Sequence, residues 1–419
     1  MSDATISGAV WLQDAGLQSV LRVLNEEGGQ ARIAGGAVRN ALLGEAVTDV
    51  DIATTGTPDE TTRRAEAAGF KVVPTGYEHG TVTVVAEGKA YEVTTLRADV
   101  ETDGRRARVS YGRDWTEDAR RRDFTINALY AEPDGRVIDL VGGLADLEAR
   151  RLRFIGDAET RIREDYLRIL RFFRFFAWYG AGRPDAAGLK ACAKLKEGLS
   201  RLSAERVWHE LKRLLSAPDP SRALLWMRQT GALTAVLAES EKWGIDSIHP
   251  LVETERAFDW PPDPLLRLAA IVPPHPDRLK AMAERLRLSK AETTALLSWA
   301  EAPAPDPALG ELAFTKLLYR AGTEGVDRRL RLALASARAR AAADDKALGE
   351  AAGFQRLLTI LQRWQRPAFP LKGKDLLERG FAQGEDLGRV LAKLEDRWVE
   401  SGFSLSRETL LEEAESERT

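Results

Sequence analysis

Cysteine is all but missing from this sequence. Cys192 is the only one in 419 residues, and only four histidines accompany it. Disulfide scaffolds and Cys/His metal sites are therefore excluded, so any bound metal must rest on oxygen ligands. A long apolar run is also lacking, and the opening MSDATISGAVWLQD has no basic segment followed by an apolar one, which argues against a membrane span or a secretory leader. A soluble, cytoplasmic protein with no stable protein partner is expected. Net charge is small, −3 with 30% charged residues, so overall charge does not announce a polyanion binder and any such site must be local. Local concentration is what the chain has. Residues 161–213 carry thirteen Lys/Arg against six Asp/Glu, and residues 105–122 carry seven against three.

What is present divides the chain. At 419 residues and 44% apolar content two or more cores are expected. The first 140 residues mix helices with β-rich runs at 31–34, 48–53, 81–85 and 90–96, the last two separated by the turn Glu87-Gly88-Lys89, which predicts a hairpin. Beyond about residue 145 the strand signals vanish and Ala, Leu, Arg and Glu recur at helical spacing. Proline clusters at 261–264, 273–276 and 303–307 fall between helices, because proline lacks the N–H donor and clashes with the preceding turn. The reading is α+β, a small mixed sheet first and an all-helical remainder.

Three constellations carry chemistry. RIAGGAVRNALLG runs from a short strand through Gly35-Gly36 into a helix, with Gly44 suited to the left-handed position at its end. A helix N-terminus of this kind offers free N–H groups and a positive dipole end to phosphate, and Arg39 lies one turn in. The alternative is a tight strand-to-helix turn and nothing more. Next, Asp49 and Asp51 stand two apart on a β-run, so both carboxylates project from one face. Adjacent carboxylates repel unless a cation sits between them, and Mg²⁺ is the natural one. Two such ions can activate a 3′-hydroxyl and stabilise departing pyrophosphate, with Mn²⁺ an alternative. Glu92, on the predicted hairpin, is a candidate third carboxylate. A solvated strand end remains the other reading of all three acids.

The third constellation is EDYLRILRFFRFFAWY, read as one buried helix from Glu164 to Tyr179 whose charged residues Glu164, Asp165, Arg168, Arg171 and Arg174 form a stripe. A ladder of ion pairs would explain it. Base selection would also explain it. Cytosine and adenine both show an amino donor beside an unprotonated ring nitrogen, which Asp165 and Arg168 can meet as acceptor and donor.

Taken in order, GGAVRN, DVDIATT, EVTTLR and RRDFTINALY resemble the head of the class II tRNA nucleotidyltransferases and bacterial poly(A) polymerases, with a polymerase-beta-type fold. The resemblance implies metal binding by Asp49 and Asp51. It also assigns ribose and phosphate contacts to Arg122, Asp123 and Asn127 within RRDFTINA. EDYLR is similar to the family's E-D-x-x-R motif, implying that Asp165 and Arg168 read the base, and Arg171 on the same stripe is a further candidate for nucleotide binding. Asn40 departs from the pattern, since many members have aspartate there. RADVETDGRRARVSYGRDWTED, from Arg97, is similar to the flexible loop of members that add a terminal A, and the segment from Gly373 resembles the tail that approaches the tRNA elbow. The implied organisation is a catalytic head at 1–145, a base-recognising neck at 146–216, and a tRNA-binding body and tail at 217–419. The implied activity is addition of C, C and A to a tRNA 3′ end from CTP and ATP. Poly(A) polymerase, A-only or CC-only addition, and a non-catalytic RNA-binding protein on the same scaffold are the alternatives.

Overall fold

The computed structural model describes residues 4–98, 110–241 and 244–416. The segment 99–109, half of the loop similar to the family's flexible one, lies outside the described residues. Contacts divide the chain into two units, one of residues 1–202 with 226–236 and the other of residues 203–225 with 237–419.

The first unit is built on a seven-stranded mixed sheet. Helix α1 (Ala15–Leu24) precedes β1 (Ala31–Ala34), helix α2 (Gly36–Leu43), β2 (Asp51–Thr54) and helix α3 (Pro58–Ala67). The strands β3 (Lys71–Gly76), β4 (Thr81–Ala86) and β5 (Lys89–Thr95) follow, then a ribbon of β6 (Arg97–Ala98) with β7 (Ser110–Tyr111), helix α4 (Trp115–Arg121), β8 (Leu129–Ala131) and β9 (Val137–Asp139). Sheet order is β3-β4-β5-β2-β1-β8-β9. Every pairing is antiparallel except β2 with β5.

The predicted hairpin is β4–β5, closed by Glu87 and Gly88, both at positive φ, the two-residue turn whose twist matches its strands. Gly44 ends α2 in the left-handed region, as expected. Strand β3 was not foreseen. It contains Pro74, which weakens a strand reading, and the sheet tolerates that proline because β3 lies at its edge. Strands β8 and β9, three residues each, are too short to show periodicity.

The unit continues through helices α5 (Gly143–Glu148), α6 (Ala158–Glu164), α7 (Leu167–Tyr179) and α8 (Ala186–Leu195). Gly143 allows α5 to press on the preceding segment, since a Cβ there would lie 2.3 Å from the Thr125 carbonyl oxygen. Phe124, fully buried, packs against Phe154 at 4.8 Å and Phe175 at 5.4 Å, and Phe154 stacks on Phe172 at 5.4 Å. This aromatic cluster fastens the RRDF segment to α7, so the sheet and helix are held in one core.

The second unit is helical throughout its described residues, beginning with α9 (Ala204–Leu215). The proline clusters fall between helices as predicted, and Pro264 and Pro276 start the helices Pro264–Ile271 and Pro276–Leu286, where the missing N–H costs nothing. Arg267 is 1% exposed and donates to Glu255 at 2.6 Å and to the Leu215 carbonyl at 2.6 Å, tying the end of α9 to the bundle. A separate cluster gathers Leu376, Leu394, Trp398 and Leu410 around Tyr319. Among the described residues no helix is long and apolar enough to cross a membrane.

Candidate active site

The end of β1 and the start of β2 bring the first two constellations together. Ala34 pairs with Asp51 in antiparallel register, and Asp51 pairs with Glu92 in the parallel neighbour β5. Gly35 follows Ala34 directly, so the glycine turn stands beside the carboxylates. Strand pairing begins only at Asp51. Asp49 therefore lies in the segment leading into the strand rather than on it, with its carboxylate accepting from Thr48 Oγ1 at 3.0 Å. Asp49, Asp51 and Glu92 are all exposed.

Although open to solvent, Asp51 sits in a recess. Partial desolvation raises its pKa above the ordinary carboxylate range, the charges of Glu92 and Asp49 add to the rise, and Arg122 opposes it. Such mutual repulsion is what a divalent cation relieves. The donors are oxygens, as Mg²⁺ requires. Among the described residues no three His, Cys, Asp or Glu side chains form a ready-made metal cluster, so Glu92 stands beside the pair rather than in a cage with it.

Gly35 takes φ 66°, ψ −113° and caps α2 without a side-chain hydrogen bond, which leaves the first N–H groups of α2 for another acceptor. The Gly35 N–H itself is spent on the Leu129 carbonyl at 2.8 Å. Gly35 thus supplies a conformation, and the donors come from Gly36 onward. A Cβ at Gly35 would meet Arg122 Nη1 at 3.2 Å, which places that guanidinium against the turn.

Arg39 differs from what its position suggested. It is 6% exposed, and its guanidinium donates to Asn127 Oδ1, to Asn40 Oδ1 at 2.9 Å and to the Tyr179 hydroxyl at 2.8 Å while lying 4.0 Å over the Tyr179 ring. Asn40 keeps the acceptor role that an aspartate would have and fixes its own amide on the Ala46 carbonyl at 2.9 Å. Arg39→Ala is expected to destabilise the protein by about 1–3 kcal/mol, because Asn127 and Asn40 lose a buried charged donor. Thermal or denaturant unfolding measures it.

Asn127 also donates to Asp123 Oδ1 at 3.0 Å, and Asp123 accepts from Arg171 Nε at 2.7 Å and from the Phe124 N–H at 2.8 Å. Burial works against the charge on Asp123, yet Arg171, the Asn127 amide and the Phe124 N–H outweigh it and hold the pKa below the usual range. A continuous line Asn40–Arg39–Asn127–Asp123–Arg171 therefore joins α2 to α7. Much of the hydrogen-bonding capacity expected to face a nucleotide ribose is spent on this line.

Arg122 stays 25% exposed. Its Nε donates to Asp118 Oδ2 and to the Tyr130 hydroxyl, both at 3.2 Å, and its Nη1 to the Asn127 carbonyl at 3.3 Å. Asp118 is 1% exposed, also accepts from Tyr130 at 2.7 Å and Arg121 Nε at 2.8 Å, and was not among the residues singled out from sequence. Burial disfavours its charge, but Arg122 and Arg121 beside it keep its pKa low. The i,i+4 spacing of Asp118 and Arg122 was a signal of this pair. Tyr130 left none.

The predicted helix from Glu164 to Tyr179 is broken. α6 ends at Glu164, Asp165 is extended at φ −152°, ψ 108°, and α7 starts at Leu167. The Asp165 carboxylate accepts from the Leu167 N–H at 3.0 Å, so an acid at a helix start, favoured by capping and by the dipole, competes with helix continuation. Gly198 accommodates the next ring, since a Cβ there would lie 1.9 Å from Tyr166 Cδ1. The ion-pair ladder exists in part. Glu164 pairs with Arg161 and Arg168, and Arg168 also donates to the Arg161 carbonyl at 2.7 Å. Arg171 reaches out of the neck to Asp123.

A carboxylate pair at the start of the central strand β2, a glycine turn beside it and a helix α7 tied through Arg171 to Asp123 of the RRDF segment define a nucleotidyltransferase. The Poly A polymerase head domain family matches residues 31–153, and the family described as the probable RNA and SrmB-binding site of polymerase A matches residues 185–243. CCA tRNA nucleotidyltransferase 1, mitochondrial, of Danio rerio is 33% identical over 403 residues, 94% of this chain and 89% of that protein. The CCA-adding enzyme of Geobacillus thermodenitrificans is 39% identical over 246 residues, 58% of each chain. The crystal structure of the Bacillus stearothermophilus CCA-adding enzyme in complex with CTP has a TM-score of 0.71 at 27% identity, covering 96% of this chain and 98% of that one. The chain belongs to the CCA tRNA nucleotidyltransferase family, whose members use divalent metal.

Proposed function

We propose that this chain adds C, C and A to the 3′ end of tRNA from CTP and ATP, without a template strand and with release of pyrophosphate. The observation that carries the reading is the helix break. An acceptor, Asp165, stands in the break two residues before α7 and a donor, Arg168, on the first turn of that helix, and Arg171 joins the helix to Asp123 at 2.7 Å. Base selection and phosphate chemistry are thereby mechanically linked.

In this reading Asp49 and Asp51 hold the metal, taken as two Mg²⁺ ions with Mn²⁺ as the alternative, and Glu92 adds negative charge beside them. When bound, the metal supplies Lewis-acid activation of the 3′-hydroxyl and charge neutralisation of the triphosphate. The α2 N–H groups from Gly36 onward and the positive helix end receive phosphate oxygens, and Arg122 adds a full charge next to the Gly35 turn. Asp123 and Asn127 shape the floor under the ribose, with Arg39 and Arg171 bracing them from either side. Asp165 accepts the exocyclic amino proton shared by cytosine and adenine, and Arg168 donates to the ring nitrogen. Uracil and guanine would leave acceptor facing acceptor and donor facing donor. Residues 1–145 then act as catalytic head, 146–216 as neck, and 217–419 as the tRNA-binding body and tail.

The head-domain family description names poly(A) polymerase, and one assay separates the readings. Purified protein is incubated with tRNA lacking its 3′ CCA, and separately with tRNA ending in CC, with each labelled nucleotide. Three added residues on the first substrate and a single A on the second are the expected products. A long A tail, C addition alone, or A addition only to the CC end would each replace the proposal by the corresponding rival, and no incorporation would leave an RNA-binding protein. The proposed location is the cytoplasm. A relative named as mitochondrial makes fractionation of the source cells the direct check.

A further inference from the structure

Asp118 carries a buried charge that the reaction as described does not use, and one of its partners, Arg122, stays partly open beside the Gly35 turn. Its Oδ1 accepts from Arg121, while its Oδ2 takes Nε of Arg122 at 3.2 Å and the Tyr130 hydroxyl at 2.7 Å. Tyr130 in turn accepts from Arg122 Nε at 3.2 Å, so carboxylate, phenol and guanidinium form a closed triangle. Asp118 and Tyr130 are 1% and 0% exposed, whereas Arg122 remains 25% exposed at the side chain. The triangle has two buried corners and one open corner. That open corner is the cation whose field reaches Asp51 and whose Nη1 lies 3.2 Å from the Cβ position of Gly35.

We propose that Asp118 is a positioning residue that, with Tyr130, holds the Arg122 guanidinium in the orientation that receives the triphosphate shared by CTP and ATP. The proposal rests on the reading of Arg122 as a phosphate-binding group. A guanidinium has five N–H donors in a fixed plane. Anchoring the Nε side on a buried carboxylate and the far side on the Asn127 carbonyl at 3.3 Å fixes that plane before substrate arrives. An unanchored arginine would have to lose its side-chain freedom on binding. Because the triphosphate is common to both nucleotides, the anchor affects binding of CTP and ATP equally and has no part in choosing between bases. Asp118 pairs with both Arg121 and Arg122, so its single charge offsets only one of the two cations and the cluster keeps a net positive charge for an incoming anion to neutralise.

The test compares Asp118→Asn with the unmodified protein, using inorganic tripolyphosphate as competitive inhibitor and labelled CTP and ATP as substrates. The expected result is inhibition weakened roughly tenfold and an equal rise in KM for CTP and ATP, with discrimination against UTP and GTP unchanged. In an Arg122→Ala background the same Asp118→Asn change should add less than about twofold, since its route of action is gone. Unchanged tripolyphosphate inhibition in Asp118→Asn overturns the proposal, as does a full additional loss in the Arg122→Ala background. If Arg122→Ala itself leaves tripolyphosphate inhibition intact, the failure belongs instead to the reading of Arg122. Should Asp118→Asn not fold, Tyr130→Phe removes the phenol corner alone and is expected to weaken inhibition roughly twofold to fivefold. Inhibition equal to wild type in that variant would equally overturn the proposal.

Discussion

Replacing Asp49 and Asp51 together with alanine is expected to abolish nucleotide incorporation, by roughly a thousandfold or more, while tRNA binding stays within about twofold of wild type. The magnitude follows from the several kcal/mol of transition-state charge stabilisation that a correctly held metal supplies, at about 1.4 kcal/mol per tenfold in rate. Binding should survive because both carboxylates are exposed and contribute nothing to the core. Removing them also relieves the desolvation and the mutual repulsion that raise the Asp51 pKa, so the variant should fold at least as well as the parent. Single-turnover incorporation and a filter-binding or gel-shift measurement provide the two readouts. Incorporation that persists at the wild-type rate would remove the metal assignment, and loss of tRNA binding in parallel would mean that the pair serves the acceptor instead.

Asp165→Ala is expected to erode selection of C and A over U and G by about tenfold or more per nucleotide, the cost of an unpaired buried polar group being about 1–3 kcal/mol. Asp165 is the cleaner residue to change. Arg168 is engaged with Glu164 and with the Arg161 carbonyl, so its loss would disturb the neck as well as the base contact. Some disturbance is expected at Asp165 too, because its carboxylate accepts from the Leu167 N–H at the start of α7. Asp165→Asn therefore serves as the companion, since it retains a capping oxygen while its amide adds a donor where the base presents one. Metal dependence should be unaltered in both. Were UTP and GTP still rejected as by wild type in both variants, base choice would have to lie elsewhere in the neck.

The residues proposed for the site were picked out from sequence because they lie in short, contiguous segments. Gly35-Gly36 and the Asp49/Asp51 pair each leave a bland reading open when taken singly, and they and the RRDFTINA segment gain meaning from their order and the family resemblance it carries, whereas the β4–β5 hairpin is read from its Glu87-Gly88 turn. Less was legible where the decisive interaction is between segments far apart in the chain. Arg39 has the sequence position of a phosphate ligand, yet it reaches Tyr179, 140 residues away. The helix read continuously from Glu164 breaks at Asp165 because the carboxylate side chain satisfies the Leu167 N–H more locally than another helical turn would.

Sequence alone therefore determined the α+β head, the helical remainder, the resemblance in motif order, and which side chains carry charge suited to metal, phosphate and base. Tertiary structure alone decided which charges face one another. It set Asp51 between Ala34 and Glu92 through strand register, drew Asp123 onto Arg171, and made Asp118 the hub of Arg121, Arg122 and Tyr130. The physical reason is that residue type fixes what a group can donate or accept. Whether those bonds are used internally or left for a ligand depends on burial and on neighbours that only folding supplies.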